Sequence, residues 1–262
     1  MNLFEEAGRL QEQGSPFAVC TIIVAKGSTP RSVAKMIVKA DGSILGTIGG
    51  GLAELYIIRE AVTAIQANQS KVVEYTLNND AADGIPMQCG GSISVFIEVV
   101  LAKPCIVMIG GGHVGMAVGK LAAFLGYRFM IIDDRVEYAN TDRYPMAAEV
   151  RSDPDMAKAV EDLPLDANSY VVIATKDADF KALRGVVNSD APYIGMIGSK
   201  RKVALVFEQL KHEGIEEARF RCIYAPVGLD IGAESPEEIA VSVMAEVMKI
   251  RNERSGLSMR DS

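Results

Sequence analysis

The 262-residue sequence has no tryptophan, and aromatic residues make up only 6% of it. It therefore offers few rings on which single-stranded nucleic acid could stack. Positive charge is also scarce: 27 Lys and Arg stand against 34 Asp and Glu, which gives a net charge of −7. Because nucleic-acid binding depends on cations that neutralise many phosphates, the composition excludes a nucleic acid as the main partner. We expect a small molecule or another protein instead.

The four cysteines include no CxxC pair, which excludes a zinc knuckle and a disulfide framework. Three of them lie in apolar, strand-like segments, where a thiol usually acts as a small hydrophobe. Cys89 differs, because it follows a polar segment and precedes Gly90 and Gly91, whose amides could lower the pKa of its thiol. Cys89 is the best candidate for a nucleophile or a soft-metal ligand, and a semi-buried loop cysteine is the alternative.

No apolar run in the sequence suits a bilayer span. The longest uncharged stretch, residues 104–119, contains three successive glycines and a histidine, which favours a buried strand and a turn. Glu5 and Glu6 stand where an export signal needs basic residues. We therefore expect a cytoplasmic protein that makes no contact with a membrane.

The hydrophobic periodicity changes near residue 102, which predicts two domains, 1–102 and 103–262. The first domain reads as a small mixed α+β fold with a hairpin turn at Asp41-Gly42. Its predicted strands are 17–26, 34–40, 44–48, 71–77 and 92–100, and its predicted helices are 3–13 and 54–69.

The second domain alternates strands with helices. Runs such as IVMI and YVVIA are apolar on both faces, as expected when helices cover both sides of a parallel sheet. We predict an α/β fold with a Rossmann-like, doubly wound sheet in this domain. A capping box at Ser235-Pro236-Glu237-Glu238 predicts the start of its last helix. The other predicted elements include helices 113–125, 156–162, 180–187 and 199–212 and a strand at 221–225.

A glycine fingerprint, GxGxxG, joins the first strand of this domain to its first helix. Gly110, Gly112 and Gly115 supply the tight turn, the close approach to a pyrophosphate and the close helix packing that such a motif needs. Asp133 follows Gly110 by 23 residues, near the spacing at which an acid meets a ribose hydroxyl. The predicted ligand is NAD or NADP, and a glycine turn chosen only for packing is the alternative. The other candidate residues are Asp134, Arg135, which could meet a 2′-phosphate, and His113, which could face the ligand or cap the helix.

Gly198-Ser199-Lys200-Arg201 form a second candidate anion site. A strand gives way there to a helix whose first turn carries a hydroxyl and two cations, and the free N–H groups of that turn add to the attraction. A capped helix with a solvated basic turn is an equal alternative.

Glycines also cluster in the first domain. The run Gly49-Gly50-Gly51 suits a loop that lays its amides against a phosphate or a flat heterocycle, and Arg31 is a natural fork for an oxyanion. Glu54 could accept a hydrogen bond from an exocyclic amine. Electrostatic stabilisation of the helix start is the alternative role that we favour for Glu54.

Taken together, these motifs resemble the XdhC/CoxI family of accessory proteins for molybdenum hydroxylases such as xanthine dehydrogenase. One departure is that Thr175-Lys176-Asp177-Ala178-Asp179 lacks the Thr-Arg-Gly-His-like stretch often found there, so no role is transferred to that segment. The matching stretches are GSTPR (27–31), GTIGGGLAE (46–54), MQCGG (87–91), IGGGHVG (109–115), DDR (133–135), YIGMIGSKRK (193–202) and PVGLDIGAESPEEIAVS (226–242).

The resemblance implies a chaperone that binds the molybdenum cofactor, shields it while a cysteine desulfurase supplies a terminal sulfur, and delivers it to the apo-hydroxylase. It also implies a Rossmann second domain and a homodimer. Glycine loops would hold the cofactor's phosphate or dinucleotide tail, and Cys89 would lie near the metal. Two other functions stay open: a free-standing NAD(P)-dependent oxidoreductase, and a protein whose Rossmann domain acts as a nucleotide sensor.

Overall fold

Residues 2–27, 29, 31–77 and 91–261 are described by the computed structural model. They divide between two units, Met1–Lys103 and Pro104–Ser262. Among these residues, no helix is both long enough and apolar enough to cross a bilayer.

The first unit is built on a five-stranded antiparallel sheet in the order β3-β2-β1-β5-β4. Alternate residues of β5 are buried, as expected for a sheet with one face on a core. Helix α2 packs its small and apolar residues, such as Ala61 and Ile57, on that face, and α1 covers the other face through Leu10. The elements are α1 (Leu3–Gln13), β1 (Phe17–Lys26), β2 (Lys35–Lys39), β3 (Ile44–Gly46), α2 (Gly51–Gln66), β4 (Lys71–Leu77) and β5 (Gly91–Val100).

The predicted elements of this unit are confirmed with shifted ends. The hairpin turn lies at Asp41-Gly42, where Gly42 has a φ of 81°. Strand β3 ends at Gly46, two residues before the predicted end, because Gly46 turns the backbone with a φ of 85°. Helix α2 begins at Gly51, three residues earlier than predicted. The sequence did not indicate this start, because glycine is a poor helix former.

The second unit has a six-stranded parallel sheet in the order β11-β10-β9-β6-β7-β8. The chain runs outward from β6 to β8, then returns to the other side of β6 and continues to β11, which is the strand order of a Rossmann fold. Every residue of β6 and β9 is buried, and this confirms the predicted doubly wound sheet. The elements are β6 (Cys105–Ile109), α3 (His113–Phe124), β7 (Arg128–Asp133), β8 (Glu149–Ser152), α4 (Met156–Ala159), β9 (Ser169–Ile173), α5 (Asp179–Val186), β10 (Tyr193–Met196), α6 (Lys200–His212), β11 (Ile223–Tyr224) and α7 (Pro236–Arg251).

Two predicted elements of the second unit are shorter than expected. Helix α4 ends at Ala159, and Asp162, the predicted last residue, has a left-handed φ of 52°. The strand predicted at 221–225 is reduced to two residues, because Glu217–Cys222 form a 3-10 helix instead. The capping box at the start of α7 is confirmed, with Ser235 and Glu238 each bonded to the other's backbone.

Candidate functional site

The register of the first sheet brings three glycine-bearing segments to one end of its strands, which we call the loop end. Strand β1 finishes at Lys26, paired with Ser92 near the start of β5. Strand β4 finishes opposite Gly91, the first residue of β5. Strand β3 finishes at Gly46, paired with Met36 near the start of β2. The segments 27–34, 46–51 and 78–91 follow β1, β3 and β4 in the sequence, and the described ends of these three strands therefore lie at the loop end; residues 78–90 themselves lie outside the described residues.

The glycine run at the loop end has a backbone that other residues rarely adopt. Gly49, Gly50 and Gly51 have φ angles of 135°, 75° and 71°. Among the described residues, no side chain caps the start of α2, where Gly50 is the N-cap residue. The first N–H groups of the helix are thus left without a side-chain acceptor, and such groups attract anions.

Glu54 organises this turn from inside the helix. Its Oε2 accepts hydrogen bonds from the Thr47 hydroxyl and from the amides of Ile48 and Gly50, at 2.5, 3.0 and 3.2 Å. Burial raises the pKa of Glu54, but these hydrogen bonds lower it by more, so the pKa lies below its usual value. The structure thus shows the helix-start role of Glu54, and contact with a ligand stays a prediction.

A polar cavity of about 560 Å³ opens at the same end of the sheet. The sequence analysis missed it, because its residues alternate along strands and belong to no motif. Ser94 donates a hydrogen bond of 3.3 Å to Glu74 inside it. The lining residues are Val24, Lys26, Glu74, Tyr75, Thr76, Ser92, Ile93 and Ser94.

The structure describes some, but not all, of the remaining predicted site residues of the first unit. Arg31 is exposed, between β1 and β2. Gly91 is buried as the first residue of β5. Cys89 and Gly90 lie outside the described residues, so the predicted roles of Cys89 as nucleophile and metal ligand stay predictions.

In the second unit, the glycine fingerprint forms the turn between β6 and α3. A Cβ added to Gly110 would lie 2.3 Å from the Ala174 carbonyl oxygen, and one added to Gly115 would lie 2.2 Å from the Gly110 oxygen. Glycine is required at both places, because real Cβ atoms do not approach so closely. A Cβ on Gly112 would meet nothing within 4 Å, so this position faces open space.

Asp133, the acid predicted to meet a ribose, has a structural role in the folded chain. Its side chain is 1% exposed, and both of its oxygens are engaged within the chain. Oδ2 accepts from the Gly111 amide at 2.7 Å, and Oδ1 accepts from Nε of Arg135 at 2.9 Å. The carboxylate of Asp133 thus holds the Gly111 amide and Arg135, and contact of Asp133 or of its more exposed neighbour Asp134 with a ribose stays a prediction. The last five residues of β7 are all buried, Asp133 included, and the sequence spacing alone could not show that the strand stays buried to its last residue.

Arg135 is held by the same carboxylate. Its guanidinium also donates to Oδ2 of Asp133 at 3.1 Å and lies 3.8 Å from the ring centroid of Tyr138. Burial raises the pKa of Asp133, but the bonds from Arg135 and Gly111 lower it by more. Burial and the neighbouring Asp133 both raise the pKa of Asp134.

A small cavity of about 210 Å³ lies between the segments that follow β7 and β9. These strands flank β6, where the strand order reverses, and Rossmann folds bind ligands at this switch point. The lining residues are Asp134, Arg135, Thr175, Lys176, Asp177 and Ala178.

In the described structure the start of α3 has no side-chain cap hydrogen bond, and contact of His113 with a ligand stays a prediction. His113 is exposed at the first position of that helix. It lines a mainly apolar groove of about 470 Å³ between α3 and α7, together with Phe124, Arg143 and Val241.

At the second candidate anion site, Ser199 acts as a cap. Its hydroxyl accepts from the Lys202 amide at 3.3 Å. Lys200 and Arg201 are exposed, and Lys200 lines a cavity of about 380 Å³ formed with residues 226–233. The capped-helix alternative is thus shown, and anion binding stays a prediction.

The sequence analysis missed a buried polar pair. This pair supports the cavity of about 380 Å³ that Lys200 and residues 226–233 line. The Tyr193 hydroxyl and the Gly228 amide both donate to Oε2 of Glu246, at 2.7 and 2.8 Å. A single glutamate within the apolar run IAVSVMAEVMKI was the available signal. The sequence does not show which residue is the hydrogen-bond partner of this glutamate, because the partner lies 53 residues away.

The strand order and the glycine turn define the second unit as a Rossmann domain, joined to an antiparallel α+β unit. The chain belongs to the XdhC family: residues 106–247 match the XdhC Rossmann domain, and residues 10–76 match the XdhC and CoxI family. This confirms the family resemblance found in the sequence.

Curated relatives align with much or all of this chain. "Uncharacterized protein YqeB" of Escherichia coli (strain K12) is 40% identical over 263 residues, covering 100% of this chain and 49% of that protein. A probable subunit of xanthine dehydrogenase from Bacillus subtilis (strain 168) is 32% identical over 162 residues, covering 60% and 46%. The chain thus spans about half the length of the first relative. Its alignment with the second relative also covers about half of that protein's length.

"Molybdenum cofactor insertion chaperone PaoD" of Escherichia coli (strain K12) is 23% identical over 269 residues, covering 91% of this chain and 84% of that protein. Among solved structures, one described as a xanthine dehydrogenase from Bacillus halodurans superposes with a TM-score of 0.51 and 20% identity. The match covers 99% of this chain and 98% of the other, and it shows a shared fold.

Proposed function

We propose that this protein binds the molybdenum cofactor, supports its sulfuration and inserts it into a xanthine dehydrogenase-type molybdenum hydroxylase. Family membership supports this proposal, and so does the name of PaoD, a cofactor insertion chaperone that aligns with 91% of this chain. The name of the Bacillus subtilis relative supports a hydroxylase of the xanthine dehydrogenase type.

The observation that carries the proposal is the common position of three glycine-bearing segments at the loop end. The cargo combines a flat pterin with an anionic phosphate or dinucleotide tail. The open start of α2 with its preceding glycines is suited to the anionic part. Arg31 belongs to a neighbouring segment at the same end and would add a bidentate cation.

The polar cavity at the loop end is suited to the pterin. Thr76, Ser92 and Ser94 bring hydroxyl groups that can donate or accept hydrogen bonds along the edge of a heterocycle. Lys26 and Glu74 add one charge of each sign. A ring that presents both donors and acceptors can therefore be satisfied by this lining.

Within the described parts of the chain, no group of three or more His, Cys, Asp or Glu side chains is placed to hold a metal. We therefore propose that the protein holds its cargo mainly through the pterin and the tail, and that Cys89 supplies the one thiolate near the molybdenum. Cys89 stands two residues before Gly91, the first residue of β5, in the sequence.

The proposed partners follow from this role. They are the apo-hydroxylase that receives the cofactor and a cysteine desulfurase that supplies the sulfur. A homodimer in the cytoplasm remains part of the proposal.

Activation of an apo-hydroxylase tests the function. Purified full-length protein is loaded with cofactor released from a hydroxylase and mixed with apo-hydroxylase, and hydroxylase activity is followed. We expect loaded protein to activate the enzyme several times faster than the same amount of free cofactor. Cys89→Ala should slow activation, whereas Cys222→Ala, which alters a thiol in the other unit, should not. Equal activation by loaded protein and free cofactor would contradict the proposal.

A second candidate function, suggested by the Rossmann domain, is that of an NAD(P)-dependent oxidoreductase. The switch-point cavity beside the glycine turn is the observation that favours it. Steady oxidation or reduction of a nicotinamide cofactor with hydroxyl or carbonyl substrates would establish this alternative. Absence of turnover, together with cofactor transfer, would exclude it as the main activity.

A further inference from the structure

We propose that the groove between α3 and α7 is the surface through which two copies of this chain pair. The proposal rests on the homodimer that is part of the proposed function, and it adds the place and the contacts of that dimer. The oligomeric state is measured without cofactor, so failure of this proposal is distinguishable from failure of cofactor insertion.

Helix α3 has few polar residues for a helix that faces water. Its sequence is HVGMAVGKLAAF, in which His113 and Lys120 are the only polar side chains. A helix that is apolar nearly all round is usually covered on every side. The sheet covers one side through Val118 and Ala122, which are buried, whereas Phe124 is 85% exposed. Within the part of the chain that the structure describes, an apolar side of α3 is therefore left without a cover.

The groove of about 470 Å³ beside this helix is mainly apolar. Helix α7 contributes Val241 to it, and 51% of Val241 is exposed. Phe124, the last residue of α3, adds an exposed ring. Aromatic residues, Met and Arg are more frequent in protein interfaces than on other surfaces. One surface thus provides both an apolar recess and an aromatic side chain that can fill such a recess. The apolar lining residues are Met116, Ala117, Leu121, Phe124, Ala240 and Val241.

The groove also carries charges of both signs that have no opposite charge beside them. Lys120, Arg143 and Glu237 line it, and none of the three forms an ion pair in the described structure. The buried Nε of Arg143 has no hydrogen-bond partner among the described residues, and its guanidinium lies 5.2 Å from the ring centroid of Tyr138. Two cations and one anion are thus available to a partner.

This mixture favours a second copy of the chain as the partner. A two-fold interface brings the same patch of two copies together, so the patch must contain groups that complement each other. Phe124 of each copy can enter the apolar recess of the other, and Glu237 of each copy can meet Lys120 or Arg143 of the other. A partner that brings charges of one sign would leave Glu237 or the two cations unpaired.

Sedimentation equilibrium of the full-length protein without cofactor tests the proposal. We expect a dimer, and Phe124→Asp should raise its dissociation constant at least tenfold, because the interface would bury a carboxylate at two symmetric places. Leu205→Asp places the same carboxylate at a leucine of α6 that is 57% exposed, and it should leave the dissociation constant unchanged. Circular dichroism checks that both variants are folded.

Charge reversal tests the polar contacts separately. Glu237→Lys places three cations in each groove and should weaken the dimer at least threefold. Adding Lys120→Glu restores the charge of the groove and should reverse most of that loss, whereas Glu208→Lys, at an exposed position of α6, should have no effect.

A monomeric wild type overturns the proposal, whether or not its groove binds another protein. Dimerisation of Phe124→Asp as tight as that of the wild type, or equal weakening by Leu205→Asp, overturns it as well. The assigned charge contacts are wrong if Glu237→Lys and Glu208→Lys weaken the dimer equally, or if Lys120→Glu does not reverse the loss.

Discussion

The carboxylate of Asp133 accepts a hydrogen bond of 2.7 Å from the backbone amide of Gly111. Asp133 ends β7, and Gly111 lies in the turn after β6, so this bond joins the ends of two neighbouring strands. The same carboxylate holds Arg135. Asp133, which the sequence spacing predicts as a ribose ligand, thus stabilises the glycine turn.

Removal of the Asp133 carboxylate should destabilise the protein. Asp133→Ala leaves the Gly111 amide without its acceptor and the Arg135 guanidinium without its partner, and we expect a loss of roughly 2–4 kcal/mol in the free energy of unfolding. Urea denaturation of the full-length chain measures this. Asp142→Ala, at an exposed position in the same unit, should change stability by less than about 0.5 kcal/mol. Equal effects of the two substitutions would contradict the assigned role.

The buried pair of Tyr193 and Glu246 should also support stability. Tyr193→Phe removes one of the two donors to Oε2 of Glu246 and leaves the Gly228 amide as the other. We expect a loss of about 1–3 kcal/mol in urea denaturation. Tyr224→Phe is the matched control, because Tyr224 stacks on Tyr193 but its hydroxyl has no hydrogen-bond partner in the described structure. The account is wrong if Tyr193→Phe is as stable as this control.

Two glycines of the same turn, Gly110 and Gly112, should differ in the stability that they lose on substitution by alanine. At Gly110 the φ is 116° and an added Cβ would lie 2.3 Å from a backbone oxygen, so Gly110→Ala should cost more than about 2 kcal/mol. At Gly112 neither obstacle is present, and Gly112→Ala should be neutral within about 0.5 kcal/mol. Thermal melting of both variants checks this, and similar melting temperatures would show that the turn is built differently.

Stability should also depend on pH through Glu6. Hydrogen bonds from Arg9 and Lys39 lower the pKa of this carboxylate from 4.5 to about 2. The unfolded chain therefore binds a proton at a higher pH than the folded one, and the contribution of Glu6 is complete above about pH 4.5 and is lost as the pH falls towards 2. Melting temperatures of wild type and Glu6→Gln should converge over this range on acidification. Parallel curves would contradict the prediction.

Periodicity and motif were enough to predict most of the fold. The fully apolar runs of β6 and β9, with GxGxxG after β6, predicted the Rossmann domain, because a buried parallel strand and a tight glycine turn each leave a local signal in the sequence. The capping box at Ser235 likewise marked the start of α7, since a cap is a local interaction.

Features that depend on pairing between distant residues could not be predicted in this way. The common position of three glycine-bearing segments follows from the register that places Lys26 beside Ser92 and Leu77 beside Gly91. The burial of Asp133 depends on the residue at which β7 ends, and strand ends are poorly marked in sequence. Glu246 shows the same limit, because its partner Tyr193 lies in another element.

Retention of the molybdenum cofactor by the full-length protein tests the central claim most directly. Protein is incubated with cofactor released from a hydroxylase and separated from free cofactor by gel filtration, and the bound pterin is measured by fluorescence after oxidation. The account predicts retention by the wild type and by Arg59→Ala, which removes a cation from the exposed side of α2, and at least tenfold weaker retention by Arg31→Ala at the loop end. No retention by the wild type, or equal retention by the two arginine variants, would contradict it.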